Sequence, residues 1–321
     1  MTDTPRPLIV RLRNWVGDVT LGLPTLQRLD AAGYSLRLVG KAWAKDLLAG
    51  HGWPVQVLGQ TRTERVRQLR ALRAQAASED PGFGRRLNAL CLPYSFSSAL
   101  DFRLAGLRAL GHAYEGRGWL LGRSVARPQQ VHELAVYWHL GSSLLGADAP
   151  LPERIGLQVS PVHQAQAAAL CRQHGITPGC IVVCPFAGGT WSGQDKTWPG
   201  FADFVARQLP RFGRRVVVLP GPGEEDEARR HFPTAALLAG AGLGSYAALL
   251  QGAALMISND TGPGHIAAAV GTPLITVMGP SDPALWRPWG PEVQVLRGPT
   301  GGGWPDGAQV ERAVERALRQ H

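Results

Sequence analysis

The chain has 321 residues, 33 of them Lys or Arg and 24 Asp or Glu, with an ordinary apolar share of 45%. That length exceeds what one core usually supports, so two domains are expected, and the composition excludes long disorder. No run approaches the roughly 18 apolar residues of a membrane span, and the opening MTDTPRPLIVRLRN holds too short an apolar stretch for a signal peptide, so a cytoplasmic chain is expected.

Short apolar runs alternate with helical periods, the pattern of parallel sheets with crossover helices. Residues 8–12 read as a strand, followed by a loop at 14–17 and a helix reaching Leu29. A strand is expected at 35–39, a helix at 42–49, an extended segment at 55–58 and a strong helix at 64–77. Residues 89–92 form the next strand, leading into a loop at 93–98. The stretch 150–161 is proline-rich and aperiodic, so the first domain is set at residues 1–155.

The second domain, 156–303, opens with a helix at 164–175, a buried strand at 180–184, a glycine-rich loop at 186–197 and a helix at 199–209. Strands at 215–219, 237–238, 253–257 and 274–277 then alternate with helices at 224–231, 246–250 and 265–270. In the tail, Val310, Val314 and Leu318 recur four apart, which makes 308–320 an amphipathic helix. Two doubly wound α/β domains are the expected architecture.

Ligands of such sheets bind where strand ends lead into helix N-termini, and three segments of this chain lie there. SNDTGPGHIAAAVGTP, residues 258–273, interrupts an apolar run with a polar elbow. Gly262 and Gly264 leave its backbone bare, and the amides that follow, at His265 and Ile266, favour an anion such as a diphosphate. Asp260 suits sugar hydroxyls; the plainer use of Asp260 and Thr261 is to cap the helix. PFAGGTWSGQDKTWP, residues 185–199, offers Gly188, Gly189, Thr190 and Lys196 to phosphate, with Lys196 one of only three lysines in the chain. RLRNWVGDVTLGLP, residues 11–24, sets Asp18 at a helix start, where it serves as a general base or as a cap.

Glu224, in GPGEE, either complements a helix dipole or accepts from a nucleotide ribose. The chain has no GxxxxGK[ST] and no GxGxxG after its first strand, which counts against a P-loop enzyme and a nicotinamide-dependent oxidoreductase. No acidic cluster looks like a metal site and no Asp-x-Asp loop is present, so a reaction without metal or cofactor is expected. The four cysteines form no metal-ligand set and read as small buried hydrophobes.

Charge is uneven along the chain. Residues 1–155 hold 20 Lys and Arg against 12 Asp and Glu, while residues 156–321 hold 13 against 12. An excess confined to the first half points to an anionic partner there. Arg62, Arg65, Arg67, Arg70 and Arg73 on one helix are candidates to meet it, or form a solvated face. Aromatic residues are not interleaved with them, so nucleic acid is not the expected partner.

Taken together, NWVGD near the N-terminus, LPYSFSSAL at 92–100, DKTWP at 195–199 and NDTGPGHIAAA with the later GTP and GPSDP resemble the heptosyltransferase family, glycosyltransferase family 9. The one departure is Phe186, where the family pattern has glycine. The resemblance implies a GT-B fold, two Rossmann-like domains facing a cleft. It implies acceptor binding by the first domain and nucleotide-sugar binding by the second, with ADP-L-glycero-D-manno-heptose the typical donor. The implied acceptor is the anionic inner core of lipopolysaccharide, which agrees with the basic first half and with a peripheral place on the cytoplasmic face of the inner membrane. Asp18 then matches the family's catalytic base, Lys196 the lysine on the donor phosphates and Asp260 the aspartate that holds the heptose. Thr261, Gly262, Gly264 and His265 complete the donor loop. Family members also return the last helix, here 304–321, to the first domain. Two readings stay open: transfer of another nucleotide-activated sugar to a different surface glycan, and a two-lobed protein that binds a nucleotide sugar without consuming it.

Overall fold

The computed structural model describes residues 6–188, 190–191, 193–298 and 303–320, with Thr190 and Trp191 described in the backbone alone. The chain divides into two units, Met1–Pro152 and Glu153–His321.

The first unit runs β1 (Arg6–Arg11), α1 (Val16–Ala31), β2 (Tyr34–Gly40), α2 (Ala42–Leu47), β3 (Val55–Val57), α3 (Arg62–Glu79), β4 (Ala89–Cys91), α4 (Phe96–Leu104), β5 (Ala109–Ala113), β6 (Arg123–Ala126) and α5 (Glu133–Leu145). Its six strands lie in the order β3-β2-β1-β4-β5-β6, every pair parallel. A sheet covered on both faces needs strands that are apolar throughout rather than alternating. Leu8, Ile9 and Val10 of β1 and Leu90 and Cys91 of β4 are accordingly buried. The chain reverses direction across the sheet between β1 and β4, whose ends are in register at Arg11 and Cys91. α1 lies against α5, where Arg28 donates to Ser142 Oγ at 2.8 Å.

The segment expected as a loop at 93–98 already contains the first turn of α4. Ser95 caps it by accepting the Ser98 amide. β5, β6 and α5 follow with no counterpart in the sequence reading.

The second unit repeats the same order. It runs α6 (Pro161–Gln173), β7 (Ile181–Cys184), a short antiparallel pair β8 (Thr190–Trp191) and β9 (Gln194–Asp195), and then helix α7. α7 changes pitch along its length, from α over Phe201–Asp203 to π over Phe204–Gln208 and 3-10 over Leu209–Phe212. β10 (Val216–Val218), α8 (Glu225–His231), β11 (Ala236–Leu237), α9 (Leu243–Gln251), β12 (Leu255–Asn259) and α10 (Gly262–Val270) come next. β13 (Leu274–Val277), α11 (Pro283–Trp286), β14 (Val293–Leu296) and α12 (Gly307–Gln320) complete it. The sheet order is β11-β10-β7-β12-β13-β14, so the switch point falls between β7 and β12, in register at Cys184 and Ser258.

α12 buries Val310, Ala313 and Val314 among Trp198, Phe204, Leu255 and Ile257 of the second core. The apolar stripe of α12 thus packs on the sheet of its own unit.

Candidate functional site

Asp18 in the first unit and Lys196 with Asp260 in the second lie beside the switch points of their sheets. In the first, β1 ends at Arg11 and the chain turns through Arg13 to Trp15, which stands at the N-cap of α1 without a side-chain cap bond. Asp18 lies in the first helical turn, and its Oδ1 accepts from the Tyr137 hydroxyl of α5 at 2.7 Å. Arg13 Nε is 3.6 Å from the same oxygen. Asp18 is thus not the cap of its helix but an acceptor in a side-chain network.

Burial, the largest influence, raises the Asp18 carboxyl above its ordinary value; Arg13 and the Tyr137 hydroxyl pull it back, and Glu133 adds to the rise. Burial also pushes the Tyr137 hydroxyl well above its usual range, with the Asp18 charge adding to it, so this phenol stays a donor. A carboxylate lifted towards neutrality and still ionisable is suited to take up a proton in a reaction.

Residues that sequence reasoning left without roles surround this acid. Tyr94, on the loop between β4 and α4, donates to Glu133, and Arg127 Nη2 lies 2.7 Å from the other oxygen of the same carboxylate. The Arg13 guanidinium lies over the Tyr94 ring at 4.3 Å from its centroid. Tyr94 belongs to the LPYSFSSAL motif, so the signal was present; its partner Glu133 lies 39 positions away, beyond what a motif can reveal.

The α3 arginines are placed more firmly than a free basic face requires. Arg65 Nε pairs with the buried Asp101 at 2.6 Å and Arg62 Nε at 3.5 Å. Arg70 donates to the Leu104 carbonyl at 3.1 Å, while Arg67 is exposed. Part of this charge fastens α3 to α4.

In the second unit, Lys196 follows β9 and its Nζ lies 3.2 Å from Asp260 Oδ2, at the end of β12. Ser281 donates to that same oxygen at 2.6 Å. Asp260 is buried, and its carboxylate is engaged by side chains from two other loops. The N-cap residue of α10, Thr261, makes no side-chain cap bond. Neither residue is therefore the simple cap that the plainer reading assigned. Gly264 is required sterically: a Cβ there would lie 2.6 Å from Ser258 Oγ. His265 is buried in the first turns of α10, a helix with no acid in its opening turn.

The neighbouring Asn259 locks the two loops together. Its Oδ1 accepts the Trp198 amide at 2.9 Å and its Nδ2 donates to the Pro185 carbonyl at 2.6 Å. The Trp198 indole in turn donates to the Pro305 carbonyl at 3.0 Å. Gly188 is exposed, Gly189 lies outside the described residues, and Thr190 is placed only as part of β8. Phe186, the departure from the family pattern, turns its ring onto Phe232 at 6.0 Å and packs on the second core. Glu224 stands before α8 and accepts the Gly221 amide at 2.8 Å. Ser281 and Asn259 were missed by sequence reasoning, although both lie in quoted motifs, because their roles arise only from loop packing.

Two parallel six-stranded sheets of one strand order, each with its polar loops at the switch point, define a protein of the GT-B class. Residues 88–306 match glycosyltransferase family 9 (heptosyltransferase), and the chain belongs to that family. Lipopolysaccharide heptosyltransferase 3 of Escherichia coli (strain K12) is 39% identical over 93 residues, a match spanning 26% of this chain and 27% of that protein. Lipopolysaccharide heptosyltransferase 2 of the same strain is 26% identical over 326 residues, covering 90% of this chain and 87% of the relative. The fold is that of E. coli ADP-heptose LPS heptosyltransferase II, with a TM-score of 0.79 over 98% of this chain and 99% of that one at 23% identity.

Proposed function

We propose that the chain transfers heptose from ADP-L-glycero-D-manno-heptose to a hydroxyl of the lipopolysaccharide inner core, with inversion and without a metal ion. The observation that carries the reading is the pairing of Lys196 with Asp260 beside the acid-free N-terminus of α10, in a chain of this family. Lys196 and the α10 amides supply positive charge where a diphosphate leaves. Asp260, buttressed by Ser281, presents its free oxygen to sugar hydroxyls.

Asp18 removes the proton of the acceptor hydroxyl. The resulting oxygen forms a bond to the anomeric carbon as the bond from that carbon to the β-phosphate oxygen breaks, and its electron pair leaves with ADP. Charge developing on the leaving group is met by Lys196, and stabilisation of this type is often the largest contribution to rate. The excess of Lys and Arg in residues 1–155 supports an anionic acceptor. No described helix is long and apolar enough to cross a membrane, and we place the reaction at the cytoplasmic face of the inner membrane by peripheral contact.

The deciding experiment is mass spectrometry of purified protein with ADP-heptose and a panel of truncated core acceptors, in EDTA. Addition of one heptose to a Kdo-bearing acceptor is expected. Product that appears only with another nucleotide sugar would overturn the donor, nucleotide binding without turnover would overturn the enzyme, and activity restored only by a divalent ion would overturn the metal-free step.

A further inference from the structure

Tyr94 is held at its ring, its hydroxyl and its backbone. Its ring carries the Arg13 guanidinium at 4.3 Å and lies 5.1 Å from that of Arg127. Its hydroxyl is held by Glu133, which is almost wholly buried and itself paired with Arg127. Its backbone is pinned on both sides. Arg117, fully buried, donates from Nη1 to the carbonyls of Pro93 and Ser95 and from Nε to that of His112. A fully buried arginine used to hold two carbonyls flanking one residue fixes that residue's position tightly.

We propose that Tyr94 is a positioning residue for Asp18: its clamped ring holds Arg13 beside the carboxylate and thereby keeps Asp18 ionised and aimed. The proposal rests on the reading of Asp18 as the base. A guanidinium on an unsupported side chain would spread over many rotamers; stacked on an aromatic face it keeps one, at little further loss of freedom.

The groups around Asp18 and its partner Arg13 come from three elements. Arg13 lies on the loop after β1, Tyr137 and Glu133 on α5, and Tyr94 on the loop after β4. Arg127 balances Glu133, and beyond Tyr94 the His112 ring lies 6.0 Å away, stacked on His139. Burial holds His112 down to about 3, with His139, Arg127 and Arg117 pressing the same way, so it stays neutral where the base works. Among these groups Arg13 is the cation that lowers the Asp18 carboxyl, and releasing it moves that carboxyl further up.

The test compares Tyr94→Phe, Tyr94→Leu and Arg13→Gln in the full chain. Two readouts are used: the acid limb of kcat/KM against pH with ADP-heptose and a core acceptor, and the Asp18 carboxyl titration by carbon-13 NMR, assigned with Asp18→Asn. Tyr94→Leu and Arg13→Gln are each expected to move limb and titration up by about one unit, a tenfold loss below the limb. The double variant moves no further, and Tyr94→Phe, which keeps the ring, stays near the wild type. An unmoved titration in Arg13→Gln, additive shifts in the double variant, or a full shift in Tyr94→Phe would each overturn the proposal; the first and third hold even where Tyr94→Leu does not fold. Retained transfer by Asp18→Asn would instead remove the base and leave the NMR linkage to be read by itself.

Discussion

Each unit has a helix N-terminus beside its switch point, α1 after β1 and α10 after β12, and the two are filled in opposite ways. α1 carries its own acid in the first turn, Asp18, held by a phenol and a guanidinium. α10 carries none; its first turn is Gly-Pro-Gly and its flanking carboxylate, Asp260, is turned to Lys196 and Ser281. A helix start that supplies its own anion is poor at receiving another, while one that leaves its amides bare is ready for it. A helix start at the switch point thus holds its own carboxylate in one unit and carries none in the other.

The comparison can be broken most sharply at Asp18. Asp18→Asn is expected to lower kcat by about a thousandfold, within the range for loss of a general base, as measured by ADP release. The sign of its effect on stability is opposite. The folded carboxyl titrates above its ordinary value, so the folded protein binds its proton more tightly, and stability is lost as pH rises through the raised value. The neutral amide avoids that loss. In urea unfolding at pH 8 the variant is expected to be at least as stable as the wild type, with its advantage gone below about pH 4, the ordinary carboxylate range.

Lys196→Ala tests the other side. A loss of about a hundredfold or more in kcat/KM is expected, the scale for removing one well-placed donor to developing charge. An unchanged value would take the lysine out of the donor site. Next in size, Gly264→Ala drives a methyl against Ser258 Oγ and is expected to lower stability by about 1–3 kcal/mol, as overpacking does. Thermal unfolding of Gly264→Ala with Ser258→Ala should recover most of that loss. Ser281→Ala removes one hydrogen bond from Asp260, an effect of about 1 kcal/mol, expected as a rise in KM for the donor with kcat little changed. Arg67→Ala is the smallest: a rim charge changes acceptor binding by about threefold or less, and more so at low salt.

Why the helices and central strands were legible follows from burial. β1, β7 and β12 lie inside sheets covered on both faces, so each reads as a continuous apolar run. β6 is an edge strand, mostly exposed along RSVA, and carries no such signal; the sequence reading placed no element between the loop at 93–98 and the helix at 164–175. The hairpin of β8 and β9 was hidden in a glycine-rich loop because two-residue strands have no period. At the site, Asp18, Lys196 and Asp260 were legible as residues, each at a strand-to-helix turn. Their partners were not: Tyr137 is 119 positions from Asp18 and Ser281 is 21 from Asp260. The α12 stripe shows the limit of periodicity, which identifies an apolar face and is silent about which core receives it.

Trp198 has one further consequence. Through its amide it is tied to Asn259 and through its indole to Pro305, 107 positions away and just before α12. The lysine loop and the last helix are therefore parts of one mechanical assembly. An α12 exchanged from a distant relative is therefore expected to disturb the loop that carries Lys196 as well.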